Sequence, residues 1–425
     1  MSNTTAQEEW FSTRRFGLFL HFGLYAIEGW HEQDQMRRRI PRATYEKLIS
    51  RFNPVDFNPE QILDLAGSAG MEYICLTTKH HDGFCLWDTK QTEFNVMNSP
   101  YGKDIVGQLA EACHRRGFPL GLYYSVADWH QPNYPNQGRH HELAEPEAGD
   151  EPDWDTYMAY LREQVRELCT NYGELRHFFW DINVPKHRDP GVNEMIRSLQ
   201  PKIVINNRGF DEGDFGTPER EYNQSETERQ ARFSRPSEAC NSVGTQSWGY
   251  REDEDYYSTG FLTRQMDTIM AKGGHYLLNI GPDATGRLPE KATRILREIG
   301  EWYLTIREAF SDTIPASEMT TNRGVLLTRR ENSLYVHLPI PARAEAVNLP
   351  PFSEIPLRAV LLNTGAELRC TNEVLPVYWR NEKRILTIKD IPRDMLSVDR
   401  PLIIRLDFEH PLTQETLTEV TEFEG

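Results

Sequence analysis

Over roughly the first 300 residues, short unbroken apolar runs alternate with amphipathic stretches. The runs cover residues 16–21, 73–77, 120–125, 178–182, 203–206, 243–247 and 276–280, and helix-like stretches at 59–69, 104–116, 154–171 and 263–271 lie between them. Such runs fit strands buried on both faces, and strand–helix alternation predicts parallel strands joined by crossover helices. Seven strands are counted, and an eighth is expected in the less regular stretch 210–240. A doubly wound open sheet is the rival architecture. The strand ends decide between them. They carry His21, His80 with His81, Asp128 with Trp129, Asp181, Asn207 with Arg208, Trp248 and Asn279. Chemistry spread over many C-terminal strand ends belongs to a barrel, whereas an open sheet gathers it at one switch point. No Gly-rich phosphate loop is present. An α/β fold with a (β/α)8-like barrel is therefore predicted for residues 1–311.

Beyond about residue 310 the texture changes. GVLLTRRENSLYVHLPI and KRILTIKDIP alternate apolar and polar residues between turn formers, as antiparallel strands do. Residues 312–425 are expected to form a C-terminal antiparallel β-sandwich domain, with the acidic EHPLTQETLTEVTEFEG as a loose tail.

Charge and cysteines narrow the partners. A formal charge of −17 disfavours nucleic acid and anionic membranes. No segment has the ~20 consecutive apolar residues of a membrane span. The six cysteines form no CxxC pair, which argues against a thiolate zinc site. The N-terminus has neither a basic start nor an apolar run, so a cytoplasmic location is expected unless a leader was removed. Self-association into a homo-oligomer is compatible with the sequence.

Four segments carry candidate chemistry. HFFWDIN (177–183) sets Asp181 directly after an apolar strand, where a carboxylate must be paired or functional; a structural ion pair or a helix cap is the alternative. KHHDGF (79–84) supplies His80 and His81; adjacent residues of an extended chain point to opposite sides, which disfavours a shared metal and suits hydrogen bonding to hydroxyls. INNRGFDEGDFGTPERE (205–221) reads as a long βα loop with Arg208 and Glu219. GWHEQDQMRRR (29–39) is polar with aromatic punctuation, and its three Arg read as a solvated face.

FGLFLHFGLY, KHHDGF, FFWDIN, INNR with DFGTPER, GTQSWGY and KGGHYLLNIGPDATGRLP resemble the ordered motifs of the glycoside hydrolase family 29 α-L-fucosidases, from about residue 10 to residue 305. The resemblance implies a retaining exo-glycosidase acting on small carbohydrate substrates, with Asp181 as nucleophile and Glu219 as acid/base. Glu238, in the segment SEAC, is the rival acid/base, because some members place that acid in a WE-x-C-like segment. Sugar contacts are implied for His21, His80, His81, Arg208 and Trp248, and for Trp30 and Glu32 in the loop after the first strand. The family often has Glu-Trp there, and this chain has Glu32-Gln33, which replaces an apolar wall by an amide. Relaxed specificity towards α-L-galactoside or α-L-glucoside is expected at that loop.

The mechanism implied needs two carboxyl groups in opposite protonation states and neither metal nor cofactor. Two other classes compete. A metal-dependent hydrolase would draw on His80, His81, His130, His140 and His141, and a lectin-like module would bind sugar without cleaving it. A catalytic pair of acids argues against the lectin.

Overall fold

The computed structural model describes residues 9–10, 14–181, 189–220, 232–339, 344–374, 384–412 and 422–423. Its first strands are β1 (Phe16–Leu20), β2 (Ile74–Lys79), β3 (Leu120–Ser125), β4 (His177–Asp181), β5 (Val204–Ile205), β6 (Arg232–Phe233), β7 (Glu238–Ser242) and β8 (His275–Ile280). Seven of these form one sheet in the order β5-β4-β3-β2-β1-β8-β7. The first strand lies beside the last, the cyclic order of a barrel. Residues of β1, β2, β3 and β8 are buried throughout, as expected of strands covered on both faces.

The crossover helices begin where the chain supplies caps. Asn58, Asp104, Asp153 and Ser258 each accept a hydrogen bond from a first-turn N–H, opening helices Pro59–Ser68, Ile105–Arg116, Trp154–Asn171 and Thr259–Ala271. Gly117, at φ 63°, closes the second of them.

The sheet departs from the expected strands in two places. The run 243–247 follows a strand rather than forming one, since β7 is Glu238–Ser242. Its polar residues Glu238, Asn241 and Ser242 hide it from an apolar scan. Of the stretch 210–240, where an eighth strand is expected, only the start of β7, from Glu238, joins this sheet among the described residues. β6 instead pairs in parallel with β18 (Glu422–Phe423), and residues 221–231 lie outside the described ones.

The later strands are β9 (Ile314–Pro315), β10 (Leu326–Arg330), β11 (Ser333–Leu338), β12 (Ala346–Leu349), β13 (Arg358–Leu361), β14 (Ala366–Glu367), β15 (Arg369–Val374), β16 (Arg384–Lys389) and β17 (Leu402–Asp407). They form antiparallel sheets of six strands, β14-β13-β17-β11-β10-β9, and three, β12-β16-β15. Alternate residues Leu334, Val336 and Leu338 of β11 and Leu402, Ile404 and Leu406 of β17 enter one apolar core with Leu386 and Ile388 of β16, the arrangement of a β-sandwich. Most of the acidic tail lies outside the described residues. No described helix is long and apolar enough to cross a membrane.

The expected boundary at 311/312 is a single cut. Compactness divides the chain differently, into one unit of residues 1–217, 240–256 and 277–296 and a second of 218–239, 257–276 and 297–425. Residues 218–239, 257–276 and 297–311, all before the expected boundary, therefore group with the C-terminal residues.

Candidate active site

Asp181 is the last residue of β4, and its backbone is fixed from the side where the sheet is short. β5 has only two residues, so the ladder beside Trp180 is completed by a side chain. Asn206 accepts from the Trp180 N–H at 2.9 Å and donates to the Trp180 carbonyl at 2.8 Å. Gly209 lies so close to the Trp180 ring that a Cβ there would come within 2.3 Å of it. The peptide carrying Asp181 thus has a fixed place.

The carboxylate is held at both oxygens. Tyr123 Oη donates to Oδ2 at 2.7 Å, and Arg208 Nη1 donates to Oδ1 at 3.0 Å. Arg208 is anchored by Thr217, with Nε donating to its hydroxyl at 2.7 Å and Nη2 to its carbonyl at 2.9 Å. Burial alone would raise the Asp181 pKa. The Arg208 charge and the Tyr123 hydrogen bond outweigh it and hold the carboxyl below its usual range. Tyr123 was not singled out by sequence reasoning. A hydroxyl inside the apolar run LGLYYS, two residues before the strand end, is the signal that could have found it.

The sequence reading pointed His80 and His81 to opposite sides. The structure corrects this: their ring centroids lie 4.1 Å apart. The β2–β3 register shifts between Thr77 and Lys79, and the chain turns after His80 through Gly83 at φ 80°. Alternation ends with the strand, so it does not govern these two residues. The turn also uses Asp82, which accepts from Tyr45 Oη at 2.9 Å and whose pKa burial raises to about 7.

Ser125 gives its single proton to the Ala127 carbonyl, so its oxygen accepts from His81 Nδ1 at 2.6 Å. That leaves His81 Nε2 as an acceptor, 3.8 Å from Asp181 Oδ2. Two acceptors so placed can share a hydroxyl hydrogen from a ligand. His80 stacks parallel to Tyr123 at 5.7 Å, and its buried Nδ1 has no hydrogen-bond partner among the described residues. Burial and the neighbouring histidines push both imidazoles well below the usual range, so both are neutral at pH 7.

His21 follows β1 and is oriented by Asn279 of β8. The Asn279 amide nitrogen donates to Ser242 Oγ at 3.0 Å and to the Trp248 carbonyl at 2.7 Å. Its oxygen therefore accepts from His21 Nδ1 at 2.7 Å. The half-buried Trp248 ring stacks on His21 at 5.3 Å, an aromatic face beside polar groups of the kind that holds a sugar ring.

Glu32 reaches this cluster through the backbone. It accepts from Ser247 Oγ at 2.8 Å and from the Trp248 N–H at 2.9 Å, and so fixes the GTQSWGY segment. Burial raises its pKa, but His31, His80 and those hydrogen bonds bring it down to about 2. Trp30 packs against His31 at 5.6 Å and lies under the Arg38 guanidinium at 4.2 Å. Gln33 is buried, and its amide oxygen accepts from Arg37 Nε at 3.0 Å. The three Arg at 37–39 are exposed, as a solvated face.

The two acid/base candidates differ in setting. Glu219 is exposed, two residues beyond the Thr217 that anchors Arg208. Glu238 is fully buried and opens β7. His21, His80, His81, Asp181 and Asn279 all stand at the opposite, C-terminal edge of the sheet.

His80, His81 and Asp181 each bring a ligand atom to within 4.8 Å of the others, so the donors could surround a cation. Arg208 already places a positive charge on Asp181. His130 stacks on Phe94 and lies 3.0 Å from Glu46.

The family described as Alpha-L-fucosidase has a model that matches residues 1–307. The α-L-fucosidase isoenzyme 1 of Paenibacillus thiaminolyticus is 31% identical and superposes with a TM-score of 0.85 over 95% of this chain and 100% of its own. An α-L-fucosidase of a Vibrio species is 26% identical with a TM-score of 0.85, covering 96% of this chain and 73% of its own. The Dictyostelium discoideum α-L-fucosidase is 28% identical over 353 residues, 74% of either chain. With the ionised strand-end aspartate, the neutral histidines and the stacked tryptophan on one barrel face, these likenesses agree: the chain belongs to the α-L-fucosidase family of glycoside hydrolases.

Proposed function

We propose that this chain hydrolyses α-L-fucosides with retention, using Asp181 as nucleophile and Glu219 as acid/base. The observation that carries the reading is the state of Asp181: an ionised carboxylate, fixed by Tyr123 and Arg208, at the edge of a histidine-lined site. Such a group can attack an anomeric carbon and form a glycosyl ester. His80 Nδ1 and His81 Nε2 present unshared polar capacity beside it, suited to the hydroxyls of the sugar. Glu219 is favoured over Glu238 because it is exposed on the loop that follows Arg208 and Thr217. Glu238 is buried at the far end of its strand. In the first step Glu219 protonates the leaving oxygen. In the second it takes a proton from the water that cleaves the ester, so the anomeric configuration is kept.

A reducing, cytoplasmic compartment is part of the proposal, supported by six cysteines that are not joined in disulfides.

The test uses nitrophenyl α-L-fucoside, α-L-galactoside and α-L-glucoside. The fucoside is expected to be cleaved best, and NMR should show α-L-fucose as the first product. Asp181→Ala should lower kcat by roughly three orders of magnitude or more, with partial rescue by azide or formate. Loss of Glu219 should hurt substrates with poor leaving groups most. Wild-type-like turnover in Asp181→Ala rejects the nucleophile. The leaving-group pattern appearing in Glu238→Ala rather than Glu219→Ala moves the acid/base.

A further inference from the structure

The loop after β3 carries two histidines that the chemistry above does not use. The His141 ring lies 5.4 Å from that of His81, and the His140 ring packs edge-on against His141 at 3.6 Å. Exposure rises along this row. His80 and His81 are buried, His141 is half-buried, and His140 is exposed. The row therefore leads from the Asp181 carboxylate, through His81, to solvent.

The loop is firmly built. Trp129 Nε1 donates to the His141 carbonyl at 2.9 Å, while the Trp129 N–H donates to the His81 carbonyl at 2.7 Å. One buried tryptophan thus ties both histidines together through their backbones. The neighbouring Glu142 is also buried, and accepts from Tyr134 Oη at 2.7 Å and from Arg139 Nε at 2.8 Å. His141 itself has φ 63°, a conformation uncommon outside glycine, which persists where the surroundings enforce it.

We propose that His141 and His140 form the subsite for the leaving-group saccharide, one ring beyond the fucosyl unit. This rests on the function proposed above. An exo-acting hydrolase seats the sugar it releases at the closed end of its site, so the leaving group faces the open end. The row of histidines opens in that direction. A neutral imidazole carries one donor and one acceptor, which matches a sugar hydroxyl, and the exposed His140 ring presents them to solvent beside the half-buried His141. A nitrophenyl group has no hydroxyls and makes little use of them. The fixed loop presents the two rings without an ordering penalty on binding.

The experiment compares nitrophenyl α-L-fucoside with α-L-fucosyl disaccharides covering the common linkages to galactose and N-acetylglucosamine. The variants are His140→Ala and His141→Asn; asparagine tolerates the left-handed backbone. Thermal melting checks that both variants fold. For the best-cleaved disaccharide, kcat/KM should fall by about tenfold, the scale of one or two lost hydrogen bonds. Hydrolysis of nitrophenyl α-L-fucoside should stay within about twofold of wild type. Equal losses on both substrates overturn the proposal, because His141 would then act on the fucosyl ring through His81. So does an unchanged disaccharide rate. Wild-type failure on nitrophenyl α-L-fucoside is a separate outcome. It rejects the substrate class, and the subsite falls with it.

Discussion

Asp181 must be an anion to attack, yet burial alone would raise its pKa. Arg208 and Tyr123 reverse that effect, which makes Arg208 a control on the pH range of activity. Removing a cation that lowers a pKa raises it, so the carboxylate is protonated at higher pH. Arg208→Gln should therefore move the acid limb of kcat/KM upwards in pH, and Tyr123→Phe should move it the same way. An unmoved limb would mean that Asp181 is not the group titrating there. Gln33 is another single residue whose position changes its meaning. The sequence suggested an amide facing the sugar, whereas its oxygen is engaged by Arg37. In the same loop Glu32 holds the backbone of Trp248 and so sets the aromatic face that stacks on His21.

At the scale of elements, the last residue of β2, Lys79, forms a buried ion pair with Asp128 in the loop after β3, a residue that the sequence grouped with the strand-end chemistry. Lys79 Nζ lies 2.6 Å from Asp128 Oδ2, and both side chains are excluded from solvent. Lys79 also sits 4.3 Å from the Tyr124 ring centre, and Asp128 caps the N–H groups of His130 and Gln131. The pair shapes the turn that carries Trp129, and its contacts are structural. Lys79→Met leaves a buried carboxylate unpaired and should destabilise the fold by about 3–5 kcal/mol. Lys79→Met with Asp128→Leu should recover part of that loss, since no lone charge remains. Urea unfolding measures both. A single variant as stable as wild type would show that Asp128 finds another partner or neutralises.

For the molecule as a whole, the question left by the histidines is whether a cation belongs among them. His80, His81 and Asp181 converge closely enough to hold one, and their neutral imidazoles would favour it. Against this stands the Arg208 charge at 3.0 Å from the same carboxylate. Exhaustive dialysis against EDTA should leave kcat/KM for nitrophenyl α-L-fucoside unchanged. Loss of activity, restored by zinc, would replace the two-carboxylate mechanism by metal-assisted hydrolysis.

Periodicity is local, and what it encodes was readable. The unbroken apolar runs of β1, β2, β3, β4 and β8, the capped helices between them and the alternating strands after residue 310 follow from side-chain pattern alone. So does the position of Asp181, a lone carboxylate at the end of an apolar strand. The order of the sheet, with β1 between β2 and β8, was inferred only from how strand-end residues were distributed. Tertiary structure decided the rest. A register shift and a turn bring His80 and His81 together, Asn206 replaces the ladder that a two-residue β5 cannot supply, and a hydroxyl from β3 reaches the β4 carboxylate. Polar β7 escaped the apolar scan because its burial comes from its neighbours in the sheet. Apart from the adjacent His80 and His81, whose rings a register shift and a turn bring together, the partners are far apart in sequence, and the direction of a side chain at a strand end is set by packing, which no short-range pattern records.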